Sequence, residues 1–295
     1  MDRGRGTVSG VVGLTLDYRD PERTAGCVEN LLHEGAEHVL VWDNSDDGGR
    51  SSAVLRRDFS GEPRVSVVDA GTNLGFSAGA NRGIEWLRAR HIGKAVLLIN
   101  NDAKLLPGAL YTLAAALRRS TDALVVFPDI DHGGWVRGKV YYHRLTGLIT
   151  DLRLTGSFPY ASGCCLLVDP SRTGGTLFDE DFFMYGEDIE LGARLSQQYG
   201  AIVHVPRLLV MHEGSVSSRM GSLFYETRMV AARLIIADKL SKGHFDRMVV
   251  MMLHIALLGI RSLLRSLRFC SLTPLRALLD GNKIAKKIRR SQSFP

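Results

Sequence analysis

The first part of the chain alternates short apolar runs with segments of helical periodicity. Runs rich in aliphatic residues predict five strands, at residues 7–16, 38–45, 64–71, 94–100 and 123–130. Apolar residues spaced three and four apart predict helices between them, at residues 23–35, 77–90 and 107–120. Apolar strands that alternate with helices are typical of a mostly parallel sheet covered by helices on both faces. The pattern therefore predicts an α/β fold.

Polar residues end several of the predicted strands. These residues are Asp17, Asp43, Asp69 and the run Asn100-Asn101-Asp102, which follows the apolar run AVLLI. Open α/β sheets bind ligands beyond the carboxyl ends of their strands. A strand that is built to be buried and then ends in three polar residues therefore predicts a binding site at that edge of the sheet.

A pair of acids in the second half suits catalysis. Residues 177–200 predict a helix that begins near Gly186, and there Glu187 and Asp188 follow the apolar run FFMY. Acids at a helix start are stabilised by ~0.3–1 kcal/mol each, which explains one or two of them. A carboxylate beside aromatic residues also suits a general base.

The remaining segments of the second half predict less. Residues 162–169 and 201–218 predict strands, and residues 131–160 predict a hairpin or a loop over the site. His212 lies in the second of these strands. A lone histidine is more often structural, but together with Asp102 it would offer a nitrogen and an oxygen to Mg²⁺ or Mn²⁺.

Composition narrows the class of protein. A chain of 295 residues with 45% hydrophobic content supports one large domain, or one domain with an appendage. The four cysteines form no CxxC pair, and the N-terminus resembles no secretory signal, so a reducing, cytoplasmic compartment is expected. The phosphate-binding pattern GxxxxGKS/T is absent. The glycine-rich stretch GTNLGFSAGANRG lacks GxGxxG spacing, so it fits a tight turn as well as a phosphate site.

The net charge of +6 is carried by the end of the chain. From Asp246 onward there are ten Lys and Arg residues and two Asp residues, whereas the rest holds 27 basic and 29 acidic residues. This distribution predicts an anionic partner for the tail and no nucleic acid for the body.

The tail predicts a helix with one polar stripe. Its apolar run, residues 248–260, has 13 residues, fewer than the ~20 that cross a bilayer. The polar residues recur every seven positions or lie beside that series, at Arg247, His254, Arg261, Arg265 and Arg268. The interpretation is a helix on an anionic membrane surface, with contacts from residues 246–290. The alternative is a helix packed on the body or in a homo-oligomer interface.

Five sequence blocks in this order resemble glycosyltransferase family 2, the inverting nucleotide-sugar enzymes with the GT-A fold. Within that family the chain is similar to bacterial rhamnosyltransferase-type members that build surface polysaccharides. The blocks are VWDNSDDG (41–48), NLGFSAGANRGI (73–84), LLINNDAKLLPGAL (97–110), FDEDFFMYGEDIELGARL (178–195) and VPRLLVMHEGSVS (205–217). The resemblance implies a Rossmann-like, mostly parallel sheet flanked by helices.

The resemblance also implies roles for single residues. Asp102 is the expected metal ligand, with His212 near the metal and the diphosphate, and Asp188 is the expected catalytic base, with Glu187 as the second candidate. The residues expected to bind the donor nucleotide are Asp17, Asp43, Asn73, Gly75 and Asn101. Three departures from the family pattern stand out: the first strand ends in LTLDYRD, so Asp17 and Arg19 replace the residues of the usual Thr-Tyr-Asn-like run; NND replaces the usual DxD; and Met229 follows Arg228 where many relatives have Asn.

The expected function follows from this resemblance. A GT-A domain is predicted over residues 1–240, with a nucleotide-sugar half (1–130) and an acceptor half (131–240), followed by a basic amphipathic tail (241–295). The first expectation is transfer of rhamnose from dTDP-rhamnose to a glycan or lipid-linked hydroxyl, with Mg²⁺ or Mn²⁺, at the inner face of the plasma membrane. The alternatives are a UDP-sugar donor, a nucleotidyltransferase, or a sugar-binding scaffold without activity.

Overall fold

A computed structural model describes residues 7–173, 176–213 and 221–292. The strands are β1 (Val11–Asp17), β2 (His38–Asp43), β3 (Val65–Asp69), β4 (Ala95–Ile99), β5 (Ala103–Leu105), β6 (Val125–His132), β7 (Val136–Arg137), β8 (Val140–His143), β9 (Ile149–Thr150), β10 (Ser157–Tyr160), β11 (Cys165–Val168) and β12 (Ile202–His212). The α-helices are α1 (Pro21–His33), α2 (Arg50–Asp58), α3 (Gly75–Ala89), α4 (Ala109–Arg119), α5 (Glu187–Leu195), α6 (Leu223–Lys239), α7 (His244–Phe269) and α8 (Thr273–Gln292).

These elements confirm the α/β prediction and most of its parts. The five early strands and three early helices lie where the pattern predicts them, and α5 begins one residue after Gly186. Residues 214–218 of the last predicted strand lie outside the described residues. Helix α2 was not predicted because Ser51 and Ser52 are two of its three buried residues, so it has no apolar periodicity.

The chain divides into two compact units. The described residues within 1–139, 161–178 and 195–214 form unit 1, and those within 140–160, 179–194 and 215–295 form unit 2. The boundary predicted at residues 240 and 241 stays a prediction.

Unit 1 is built on a nine-stranded sheet in the order β3-β2-β1-β4-β11-β6-β12-β5, with β7 paired to β6. The strands from β3 to β4 are parallel, whereas β11 runs antiparallel between β4 and β6. Its core includes Leu31, Val41, Leu97 and Val126, all without exposed surface. The strand register aligns Asp17 with Asp43, and Asp43 with Asp69. Three parallel strands therefore end on a row of carboxylates.

Unit 2 combines a small antiparallel sheet, in the order β10-β8-β9, with helices α5 to α8. Helix α6 packs against both α7 and α8. Gly281 allows the close approach of α8, because a Cβ at that position would lie 2.7 Å from Cβ of Val230 on α6. The core of unit 2 includes Tyr142, Phe182, Leu234 and Ile236.

The middle of the tail's polar stripe, at His254, Arg261 and Arg265, faces the rest of unit 2, which corrects the interpretation of a stripe turned towards lipid headgroups. Arg247 and Arg268, at the two ends of the stripe, are exposed. His254 is 1% exposed, and Arg261 and Arg265 form ion pairs with Glu226, which is also buried. The apolar residues of α7 are on the outside instead. By length and composition alone, α7 has the dimensions of a membrane-crossing helix, although the apolar run in the sequence is shorter.

Candidate functional site

Asp17 lies at the centre of a hydrogen-bond network at the strand ends of unit 1. Its side chain has no exposed surface, and its two carboxyl oxygens accept bonds from the hydroxyls of Thr24 and Ser45. Burial raises the pKa of Asp17, and the two hydroxyl bonds oppose that rise. The network holds the start of α1 and the loop after β2 against the end of β1. The role of Asp17 in binding the donor stays a prediction.

Asp43 presents an acceptor without a partner. The residue is 1% exposed, and its Oδ1 accepts from the backbone N–H of Ser45 at 2.8 Å. Its Oδ2 is buried and has no hydrogen-bond partner among the described residues. A buried polar atom left unsatisfied costs ~1–3 kcal/mol. A ligand that donates a hydrogen bond to Oδ2 would remove that cost.

Asn73 and Gly75 form the turn that opens α3. The Oδ1 of Asn73 accepts from the N–H of Gly75 at 2.9 Å, and Nδ2 of Asn44 donates to the carbonyl of Gly75 at 2.8 Å. Gly75 has φ +78°, a conformation that L side chains rarely adopt. The glycine-rich stretch is therefore a turn at the start of α3. Asn44, the residue that follows Asp43, holds this turn in place.

Asn101 and Asp102 lie in the turn between β4 and β5. Nδ2 of Asn101 donates to Oγ1 of Thr24 at 2.9 Å, which joins the turn to the network around Asp17. Asp102 is 9% exposed, and its Oδ1 lies 3.0 Å from Nε2 of His212. The antiparallel pairing of β12 with β5 sets His212 opposite Ala103 and so brings the two predicted ligands together.

A second histidine adjoins this pair. Nδ1 of His132 lies 2.9 Å from Nδ1 of His212, and the parallel register of β6 and β12 aligns the two residues. The pKa of His132 is lowered, chiefly by burial and next by the neighbouring His212. Sequence reasoning missed His132 because the predicted strand stopped two residues earlier. The sequence signal that could have found it is that β6 and β12, as adjacent parallel strands, end at the same edge of the sheet, each with a histidine.

Asp102 and His212 fit a divalent ion. Oδ1 of Asp102 and Nε2 of His212 are in direct polar contact at 3.0 Å. The same separation suits two adjacent ligands of an octahedral ion, whose bonds of ~2.1 Å set them ~3.0 Å apart. If Nε2 of His212 bound a metal, its Nδ1–H would donate to Nδ1 of His132, as ligating histidines commonly donate from their other ring nitrogen. Within the described residues no cluster of three or more His, Cys, Asp or Glu side chains fits a metal. The remaining ligands would come from substrate and water.

Glu187 and Asp188 begin helix α5 in unit 2, and their environments differ. Glu187 is buried, and its Oε2 has no hydrogen-bond partner among the described residues. Burial, and next the negative charge of Asp188, raise the pKa of Glu187 to about 8. Asp188 is only half-buried, and its Oδ1 accepts from the N–H of Ile189 at 2.8 Å. At neutral pH Glu187 therefore keeps its proton.

Arg228 is a cation that sequence reasoning left without a role. Its guanidinium lies 4.2 Å from the ring centre of Phe183 and 5.5 Å from that of Phe224. Burial lowers its pKa, and no acidic side chain among the described residues pairs with it. Phe183 lies in the loop that precedes α5, so unit 2 has a half-buried positive charge against that loop.

A model of known families identifies the chain. The model of "Glycosyl transferase family 2" matches residues 18–171, slightly more than half of the sequence. The chain belongs to glycosyl transferase family 2. It is a glycosyltransferase, and membership of this family decides against the nucleotidyltransferase and scaffold alternatives.

Relatives of known function support this membership of family 2. The chain is 30% identical, over 225 residues, to "N-acetylglucosaminyl-diphospho-decaprenol L-rhamnosyltransferase" of Mycobacterium tuberculosis (strain CDC 1551 / Oshkosh). The match covers 64% of this chain and 70% of that enzyme. The same enzyme from a second strain of that species matches equally well.

Two solved structures of glycosyltransferases share the fold. GalNAc-T7 with UDP, GalNAc and Mn²⁺ has a TM-score of 0.58 and 13% identity over 77% of this chain, which spans about half (48%) of that enzyme. The mannosyltransferase PcManGT from Pyrobaculum calidifontis, with GDP-Man and Mn²⁺, has a TM-score of 0.52 and 16% identity. That match covers 96% of this chain and 83% of PcManGT. The predicted GT-A class of fold is confirmed.

Proposed function

We propose that this family 2 enzyme transfers L-rhamnose from dTDP-rhamnose to a hydroxyl of a lipid-linked glycan, with inversion at the anomeric carbon. The observation that carries the proposal is the pair of Asp102 and His212 at the strand ends, on the same sheet edge as the unpartnered oxygen of Asp43. The choice of rhamnose and of a lipid-linked acceptor follows the rhamnosyltransferase to which the chain is 30% identical. A UDP-sugar donor is the second candidate.

The donor is bound by unit 1 in this proposal. Oδ2 of Asp43 accepts a hydrogen bond from the imide N–H of thymine or uracil, and the turn of Asn73 and Gly75 lies along the diphosphate. Asn101 orients the turn that carries Asp102 through its bond to Thr24, and buried Asp17 supports the same network. Asp102 and His212 would hold Mg²⁺ or Mn²⁺, which would supply positive charge that offsets the charge of the leaving diphosphate.

The acceptor is activated by unit 2 in this proposal. Asp188 takes the proton of the acceptor hydroxyl. The hydroxyl oxygen bonds to the anomeric carbon while the bond from that carbon to the diphosphate oxygen breaks, and the nucleoside diphosphate leaves with the electron pair. Glu187 is protonated at neutral pH, so it hydrogen-bonds as a neutral acid and leaves the charge to Asp188.

Arg228 binds the phosphate of the lipid-linked acceptor. A half-buried guanidinium with no acidic partner among the described residues is complementary to an anion. Its position near the loop that leads to Asp188 puts an anionic group of the acceptor near the base that deprotonates it. A lipid-linked acceptor also requires that the enzyme work at a membrane, and we assign it to the cytoplasmic face of the plasma membrane.

The purified protein tests the proposal directly. It is incubated with dTDP-rhamnose or a UDP-sugar, with and without Mn²⁺, and release of the nucleoside diphosphate is measured. We expect metal-dependent release that is fastest with dTDP-rhamnose. Asp102→Ala should abolish the metal-dependent part of donor affinity in calorimetry, whereas Asp58→Ala, an exposed carboxylate on α2, should leave it unchanged. Equal donor affinity with and without metal in the parent protein would contradict the metal site.

A further inference from the structure

The outward face of helix α7 is apolar along its whole length. Large apolar side chains that are at least one-third exposed recur from the first turn to the last. They are Phe245, Met248, Met252, Leu253, Ile255, Leu257, Ile260, Leu263, Leu264 and Leu267. A soluble helix normally turns such a stripe inward, against its core. An apolar partner outside the protein would therefore stabilise this face by removing it from water.

The inward face of α7 is the more polar one. Its buried residues are Val250, His254, Leu258, Ser262 and Ser266. Next to them, Arg261 and Arg265 donate to the carboxylate of Glu226, which has no exposed surface. The helix is amphipathic, but its apolar side faces outward and its more polar side faces inward, the reverse of a helix on the surface of a soluble protein. Its inward arginines, Arg261 and Arg265, are paired with Glu226.

The contacts of α7 with the rest of unit 2 extend along the helix. In its first turn Asp246 pairs with Arg144, and near its last turn Arg265 pairs with Glu226. Between them, Nε2 of His254 lies 3.1 Å from the carbonyl of Arg144. These anchor points span nearly 20 residues, or ~30 Å of helix. A helix held over this length against a unit with exposed charged residues has only one side open, which fits a helix that lies along a membrane surface better than one that crosses it.

The exposed charges of α7, and of α8 which packs against it, favour anionic lipid over a second copy of the chain. The exposed cations of α7 and α8 are Arg247, Arg268, Arg276, Lys283, Lys286, Lys287 and Arg290. The two acids of these helices, Asp246 and Asp280, are both paired with basic residues. Two copies meeting through this face would bring like charges together, whereas anionic headgroups would neutralise them.

We propose that the outward face of α7 lies in the interface of an anionic bilayer, with the helix axis parallel to the membrane and the cations of α8 on the headgroups. The proposal deepens the proposed function, on which it rests for the reason why the enzyme needs a membrane: a lipid-linked acceptor presents its sugar at that surface. The occupant of the face is lipid.

Vesicle co-sedimentation of the full chain tests this surface. The vesicles contain phosphatidylcholine alone or mixed with phosphatidylglycerol. The triple variant Met252→Gln, Ile260→Gln, Leu264→Gln should lower the bound fraction on anionic vesicles about tenfold or more, because it removes apolar side chains from the inserted face. The matched control is Leu152→Gln, an exposed leucine of unit 2 outside α7, and it should bind like the parent.

The double variant Lys286→Gln, Lys287→Gln separates charge from apolar insertion. It should weaken binding to the anionic vesicles and leave binding to phosphatidylcholine unchanged. Circular dichroism with thermal unfolding checks that each variant folds. Equal sedimentation of the parent and the triple variant would overturn the proposal. A parent dimer that the triple variant converts to a monomer, without vesicle binding by either, would show that a second copy covers the face.

Donor hydrolysis in the absence of acceptor distinguishes the two proposals. A protein that binds vesicles through α7 but releases no nucleoside diphosphate refutes the proposed function and leaves the membrane surface standing. A protein that hydrolyses dTDP-rhamnose with metal but ignores both kinds of vesicle refutes the membrane surface alone.

Discussion

Glu187 and Asp188 are neighbours in sequence, yet only one of them is in a position to carry charge. Glu187 is buried and its pKa is raised to about 8, first by burial and then by Asp188. Paired acids whose environments separate their protonation states commonly divide the work of an active site. The half-buried Asp188 is therefore the base in our proposal, and Glu187 is its neutral neighbour.

The variant Asp188→Asn tests this division. General-base catalysis contributes ~10²–10⁴-fold, so kcat should fall by a factor in that range while donor affinity, measured by calorimetry, stays unchanged. Glu187→Gln keeps a neutral hydrogen-bonding side chain and should lower kcat much less. A large loss of kcat in Glu187→Gln, together with near-normal kcat in Asp188→Asn, would make Glu187 the base and Asp188 its neighbour.

The proton on Glu187 also predicts how stability changes with pH. In the unfolded chain this carboxyl has its usual pKa of 4.5, and in the folded protein its pKa is about 8. Between these values the folded state holds a proton that the unfolded state has lost, so stability falls as the pH rises. His132 and His254 have pKa values lowered from the usual 6.5, chiefly by burial, so they add little to the slope above pH ~7.

Thermal unfolding at pH ~7 to ~9 measures this slope. The Tm of the parent should fall more steeply than the Tm of Glu187→Gln up to about pH 8. Above that pH the two should fall in parallel, because burial raises the pKa values of the Cys27, Cys164 and Cys165 thiols, which keep protons that the unfolded chain loses. A parent and variant with the same slope would assign the pH dependence to another group.

Arg228 predicts a defect confined to the acceptor. Hydrogen bonds to charged groups contribute ~1.5–3 kcal/mol, so Arg228→Gln should raise KM for a diphosphate-linked acceptor roughly tenfold to a hundredfold. Donor hydrolysis without acceptor should be unchanged, and inorganic pyrophosphate should compete with the acceptor in the parent more strongly than in the variant. Arg118→Gln, an exposed arginine on α4, is the control. A rise in the donor KM alone would move Arg228 to the donor side.

Sequence analysis predicted the site residues that a local pattern marks, and it missed those whose role depends on partners far away in the chain. Asp102 and His212 were predicted because each stands at the end of an apolar run, a local pattern. His132 and Thr24 were missed because their importance comes from partners 80 and 77 residues away, His212 and Asn101. Only strand register and the packing of α1 on the sheet bring those partners together.

Helix α7 shows the same limit at the scale of an element. Its sequence predicts a helix with one polar stripe, and the structure has that helix. Periodicity does not tell which face is covered, because a polar stripe can meet solvent or a buried acid. Glu226, in a different helix, decides the orientation by pairing with Arg261 and Arg265.

This ion-pair cluster predicts a large effect on stability. Glu226 is buried, and its removal leaves two arginines without their acid, one of which, Arg261, has a pKa lowered chiefly by burial. Loss of one partner of a buried pair costs ~3–5 kcal/mol, so Glu226→Gln should lower the free energy of unfolding by about that amount in urea. Asp280→Asn removes a more exposed acid with two basic partners on α8 and should cost less than ~1 kcal/mol. Equal losses in both variants would contradict the anchoring of α7.

At the scale of the whole molecule, each of the two units is assembled from three separate stretches of the chain, so the order of the sequence does not reveal them. Unit 2 collects residues from 140–160, 179–194 and the described part of 215–295, so the tail belongs to the same compact unit as Glu187, Asp188 and Arg228. Composition distinguished the basic tail from the body, but no linker marks the other crossings of the chain. The unit that carries the outward face of α7 is therefore also the unit to which we assign the acceptor.

That association predicts that the membrane acts on acceptor use and not on donor chemistry. Anionic vesicles that contain a lipid-linked acceptor should lower its apparent KM for the parent, because the enzyme and the acceptor concentrate on one surface. The α7 triple variant, Met252→Gln, Ile260→Gln, Leu264→Gln, should lose that gain while keeping the parent rate with a short-chain, water-soluble acceptor. High salt should weaken the gain in the parent, since it screens the cations of α8 from the headgroups. Steady-state kinetics with both acceptors measure these effects, and the variant Leu152→Gln serves as control. If the triple variant were impaired equally with both acceptors, α7 would act through the folding of unit 2 and not through the membrane.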